Sequence, residues 1–114
     1  GTHRVCAEAV LAALEVVDND EWVKDCHIWL YRGAWQEWDL GMVDMAVPIS
    51  PTEMITKRHA IYRHLSQKDI VPFAGDDKRE FWQRAEDRTQ NTANMYNKLG
   101  MAEYQAIEVF VKMW

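Results

Sequence analysis

The segment from Val5 to Val17 constrains this chain more than any other, because it reads as a helix with almost no side left for water. Val5, Cys6, Ala9, Val10, Ala13, Leu14 and Val17 recur at helical intervals. Ala7, Leu11, Ala12 and Val16 fill the opposite side, and only Glu8 and Glu15 carry charge between the two ends. Thr2 is placed to cap such a helix, so the spacing predicts helix from Thr2 to Val17. A helix apolar nearly all round is normally covered on several sides. A chain of 114 residues has little apolar surface to spare for that. The expectation is a partial domain whose first helix packs against something further: an upstream part of the same polypeptide, or a second copy. On its own the chain is expected to self-associate as a homo-oligomer.

The rest of the chain is read from its punctuation. Asp18-Asn19-Asp20 ends the first helix. Cys26 to Tyr31 is rich in strand formers and reads as a buried strand. Ala34 to Met42 holds Trp35 and Trp38 in a polar setting, as a loop whose indoles pack onto the core or line a cleft. Val43 to Pro48 alternates briefly and predicts a second strand, stopped by Pro48. Ser50-Pro51-Thr52-Glu53 then combines an N-cap, a first-position proline and the carboxylate of a capping box. A helix from Pro51 to Gln67 follows, with Met54, Ile61 and Leu65 inward, Ile55 and Tyr62 flanking, and Lys57, Ala60, His64 and Gln67 on an adjoining line.

Lys68 to Asp77 is a connection. Asp77 and Glu80 repeat the capping spacing, predicting a long helix from about Lys78 with Phe81, Ala85, Thr89, Thr92, Tyr96 and Leu99 inward. Gly100 is placed to end it in a left-handed conformation. A last helix is expected from Ala102 to Lys112. The order helix, strand, strand, helix, helix, helix is α/β and helix-rich. Two strands do not make an independent sheet, so residues 1–114 read as one partial domain, the second half of a larger α/β fold.

A net charge of −5 argues against nucleic acid or an anionic membrane as partner. The longest apolar run, Ala9 to Leu14, is too short to span a bilayer. Cys6 and Cys26 have the spacing of neither a disulfide framework nor a thiolate zinc site, which suits reduced thiols in the cytoplasm. Six tryptophans must be buried, at an interface, or on a ligand surface. No Ser-His-Asp order, glycine-rich phosphate loop or His-Glu-x-x-His helix is present. His59 and His64, five residues apart, point about 140° from each other on a helix and cannot clamp one metal ion.

Two short patterns carry a resemblance. Lys57-x-x-Ala60-x-x-x-His64-x-Ser66-Gln67 resembles a helix of the PIG-L/LmbE family of zinc-dependent N-deacetylases. Gly1-Thr2-His3-Arg4 resembles the end of that family's His-x-x-His motif, whose second histidine binds zinc. Longer strings, at Leu30 to Trp38, Ser66 to Asp69, Arg79 to Arg88 and Glu103 to Glu108, resemble the C-terminal part of long bacterial proteins of the glucosamine-6-phosphate deaminase or isomerase kind. In those, a sugar-phosphate isomerase domain precedes a PIG-L/LmbE-like domain.

The resemblance implies a Rossmann-like three-layer domain, of which this chain is the C-terminal half, and a hydrolase acting on N-acetyl amino sugars. It implies His3 as a metal ligand, Arg4 and Arg32 as contacts to an anionic sugar phosphate, and His64 and Gln67 as groups around the metal or substrate. The family's His-Pro-Asp-Asp motif, which brings the other ligands and the general base, is absent from these residues. Zinc is therefore expected in the longer parent protein and not bound by this chain alone, which is expected to be inactive. Two other readings stand beside this one: a helical structural or oligomerisation module of the parent enzyme, and a carbohydrate-binding surface built from Trp35 and Trp38.

Overall fold

A computed structural model describes residues 1–66, 78–101 and 103–113. The chain divides into two units, one of residues 1–28 with the chain end from Met113, the other of residues 29–112. In the first unit α1 spans Thr2–Val16, with Gly1 at the N-cap and no side-chain cap. Thr2 thus lies in the first turn and not at the cap. No residue of α1 is buried, and Val16 is 82% exposed. A 3-10 turn, Glu21–Asp25, follows and buries Val23. The Met113 backbone N–H donates to the Ile28 carbonyl at 2.9 Å.

The second unit is built on a three-stranded antiparallel sheet. β1 is Trp29–Leu30, β2 is Met45–Ile49 and β3 is Ala106–Lys112, in the order β1-β3-β2. Leu30 lies opposite Val111, and Val47 opposite Glu108. The segment expected to be the last helix is therefore a strand, and the described sheet has three strands where two were expected. Ala106 to Val111 is a short apolar run whose periodicity fits either state. Ile107, Val109 and Val111 are β-branched and pack well on a pleated surface. Burial of both Ile107 and Glu108, which alternate in direction, means that β3 is covered on both faces.

Two strand boundaries also differ. Cys26 closes the 3-10 turn by donating to the Val23 carbonyl, so strand pairing begins only at Trp29. β2 runs through Pro48 to Ile49. Proline is tolerated there because, among the described residues, β2 has a partner on one side only, and a missing N–H on the outer side costs no ladder bond.

α2 spans Pro51–Tyr62 and begins as the sequence predicts: the Glu53 N–H donates to Ser50 Oγ at 3.2 Å, and the Ser50 N–H to Glu53 Oε2 at 2.7 Å. It stops short of the expected Gln67. Arg63 to Ser66 are all exposed, Leu65 at 76%, so no burial offsets the cost of continuing the helix. Of the expected inner face only Met54 is fully buried. Gln67, the connection from Lys68 and Asp77 lie outside the described residues.

α3 spans Phe81–Lys98, three residues later than expected, with the Glu80 N–H donating to Gln83 Oε1 at 2.8 Å. Ala85, Thr89, Thr92 and Ala93 are buried on it, while Leu99 lies past its end and is exposed. Gly100 takes a φ of +80°, its N–H donating to the Asn97 carbonyl and that of Met101 to Tyr96, a Schellman closure. Ala93 packs with Ile107 and Val109 of β3, and Trp38, Val43 and Tyr96 close around them. No helix among the described residues is long and apolar enough to cross a membrane.

Candidate functional site

Arg84, Asp87, Arg88, Asn91, Thr92 and Met95 each have another of the set three or four residues away along α3, so they share one side of the helix. Opposite them stands the loop Ala34 to Glu37, and together with Arg79 the two enclose a cleft of about 290 Å³. The loop is shaped by a turn in which the Trp35 N–H donates to the Arg32 carbonyl across Gly33, whose φ of +62° favours glycine. Arg32 holds the far side, its Nε donating to the Gln36 carbonyl at 2.6 Å and its guanidinium lying 5.0 Å from the Trp38 ring centre.

A buried charge cluster borders this cleft. Arg88, with a side chain only 6% exposed, donates through Nη2 to Glu108 Oε2 at 2.9 Å and to the Tyr31 hydroxyl at 3.1 Å. Its Nη1 lies 3.7 Å from Glu37 Oε1, too far for a hydrogen bond. Glu37 accepts from Thr92 Oγ1 at 2.7 Å and from the Trp38 N–H at 3.1 Å. Lys57 reaches in from α2 to Glu108 Oε1 and to the Tyr31 hydroxyl. Two carboxylates thus meet two cations, the arrangement that makes burying any of them tolerable. Arg88 Nε and Nη1 are buried and donate no hydrogen bond among the described residues.

A second pairing ties α2 to α3. Arg58 donates to both oxygens of Glu86, at 2.7 and 2.9 Å, and stacks 4.6 Å from the Trp82 ring centre. The bond to Glu86 pushes the Arg58 pKa above its ordinary value. Burial, and then the nearby Glu37 charge, raises the Tyr96 phenol. Both groups therefore keep their neutral-pH charge states.

The residues singled out from sequence fall in different places. His3 and Arg4 lie on α1 in the first unit, both exposed, with Arg4 Nε bonded to Glu8 at 2.7 Å. Arg32 is engaged within its own loop. His64 follows α2, exposed, its backbone N–H donating to the Ile61 carbonyl. Neither Arg32 nor His64 lines the cleft, and Gln67 is outside the described residues. Trp35 lines the cleft, whereas Trp38 packs into the core. Among the described residues no group of three or more His, Cys, Asp or Glu side chains is placed to hold a metal ion. The donor set present does not by itself fit a zinc site, which takes three protein ligands.

Sequence reasoning did not single out Glu37, Arg88 or Glu108, and it left Lys57 on a polar line. One signal was available: a glutamate inside the apolar run Ala106 to Val111 must be buried or lie on an exposed face, and burial demands a cation.

What fold and cleft define is a small mixed α/β unit with an antiparallel sheet, backed by a helix that presents a polar, arginine-rich side. The chain is 54% identical over 114 residues to a glucosamine-6-phosphate deaminase-like protein of Bacteroides thetaiotaomicron. The match covers 98% of this chain and 17% of that protein. No protein-family model matches the chain, and no solved structure matches it.

Proposed function

We propose that the chain is the C-terminal part of a glucosamine-6-phosphate deaminase-like protein, lying in a PIG-L/LmbE-type N-deacetylase-like domain that acts on amino sugars in the cytoplasm. The 54% identity across almost the whole chain supports the deaminase-like part of this reading, and the resemblance of Lys57 to Gln67 and of Gly1 to Arg4 to the family's motifs supports the deacetylase-like part. In it the zinc site belongs to the longer protein: His3 is one ligand, and the remaining ligands and the base come from upstream. The 114 residues alone are inactive. The test is the full-length protein, with and without His3→Ala, measured for zinc content and for acetate release from N-acetylglucosamine derivatives. The expected result is stoichiometric zinc and activity, both lost in the variant. Absence of metal and activity in the unmodified protein, or an inert substitution, overturns the deacetylase reading.

The lack of any buried residue on α1 favours a second role, in which this helix is a docking surface for the upstream polypeptide. The 114-residue chain then self-associates in sedimentation, and adding the upstream segment suppresses it. A monomer at high concentration counts against that role.

A further inference from the structure

We propose that the exposed side of α1 pairs with the same side of α1 in a second copy of this chain, the two helices running antiparallel about a two-fold axis. This pairing rests on the reading of α1 as a docking surface and gives that surface its partner when the chain self-associates. Leu11, Leu14 and Val17 are half-buried and recur every third residue, so they share one side of the helix end. Val5, Ala9, Ala12 and Val16, at intervals of four, three and four, lie on the opposite side. All four are exposed, Val5 at 63% and Val16 at 82%. Water normally meets a polar helix face, and this one is apolar along its whole length.

The order of residues on that side selects the partner. Turned end for end about a point between Val10 and Leu11, the face matches itself: Val5 meets the partner's Val16, and Ala9 meets the partner's Ala12. Such self-matching is what an isologous two-fold interface requires. Alanines at the centre let the two axes approach to about 8 Å. Cys6 and Ala13, both exposed, continue the apolar face on one flank. The other flank holds Arg4, Glu8 and Glu15, and in a two-fold antiparallel pair each flank meets its own copy. Arg4 then stands two residues, about 3 Å along the axis, from the partner's Glu15. Its Nε already bonds Glu8 at 2.7 Å, and its other N–H groups can serve the second carboxylate. One arginine thus offsets the approach of two glutamates, twice over by symmetry. In a parallel pair the charged flank would face Thr2, Cys6 and Ala13, and Glu15 would meet no cation.

Two helices of 15 residues bury less than the about 1,200 Å² of a standard interface, so a micromolar dimer is expected. Sedimentation equilibrium and disulfide trapping of the full 114-residue chain, with Cys6→Ala and Cys26→Ser removing its own thiols, test the pairing. An Ala9→Cys chain mixed with an Ala12→Cys chain is expected to cross-link about fivefold faster than a Val5→Cys chain with itself, because antiparallel pairing holds the two Val5 positions about 16 Å apart. Ala12→Glu should weaken dimerisation about tenfold by burying a charge, with circular dichroism showing that helix content is kept. Self-association without the Ala9 to Ala12 trap, or faster trapping at Val5, overturns this pairing and leaves the docking role standing. A folded Ala12→Glu chain that dimerises as before does the same. A monomer at high concentration overturns both.

Discussion

Arg88 on α3 and Glu108 on β3 meet at 2.9 Å with both side chains less than a tenth exposed. They join helix to strand at the middle of the sheet. Removing the cation alone leaves Glu108 and Glu37 short of a partner in a site that water scarcely reaches. Arg88→Met is therefore expected to cost about 3–5 kcal/mol in urea unfolding. Adding Glu108→Gln should return part of that loss, because one stranded charge is gone. A double-mutant cycle in which the two substitutions add within about 0.5 kcal/mol would show that they do not act as a pair.

The start of α2 should respond to acid. Glu53 is held below the ordinary carboxylate pKa first by the Ser50 backbone N–H and then by the Ser50 side chain. A lowered folded value stabilises wherever the unfolded chain's carboxylate is ionised, and the benefit disappears as pH falls through the folded value. Hydrogen-exchange protection along the first turn of α2, taken relative to the intrinsic rate at each pH, is expected to fall below about pH 4, and Glu53→Gln to flatten that dependence. Ser50→Ala should cost about 0.5–2 kcal/mol at neutral pH. Equal acid sensitivity in Glu53→Gln and the unmodified protein contradicts this account.

Gly100 tests backbone strain by itself. A Cβ there would meet nothing within 4 Å, yet φ is +80°. Gly100→Ala should thus destabilise by about 1 kcal/mol or more through conformation alone, and Gly100→Asn by less. Thermal unfolding of the two variants side by side gives the order. If alanine is neutral, the left-handed closure of α3 is not what holds this end.

Local chemistry made the helices legible in the sequence. Ser50, Glu53 and Gly100 act within one turn of their own positions, so the beginning of α2 and the close of α3 could be read directly. β3 could not, because what makes Ala106 to Lys112 a strand is pairing with β1 and β2, far away in the chain. Pro48 misled for a related reason: only the strand order shows that β2 is an outer strand among the described residues. The cluster stayed hidden because Glu37, Arg88 and Glu108 come from a loop, a helix and a strand that only tertiary packing brings together. Lys57 stood in a recognisable pattern, but its turn toward Glu108 is a tertiary fact too.

Strand β3 comes last of the described elements, yet it lies between the other two strands of its sheet. During synthesis β1 and β2 emerge before the strand that pairs with both of them, and α2 and α3 are made before it arrives. Assembly of this sheet thus waits until Ala106 to Lys112 has been made. A stop codon placed just before Ala106 would strand both outer ribbons at a stroke and leave nothing for the core to close upon.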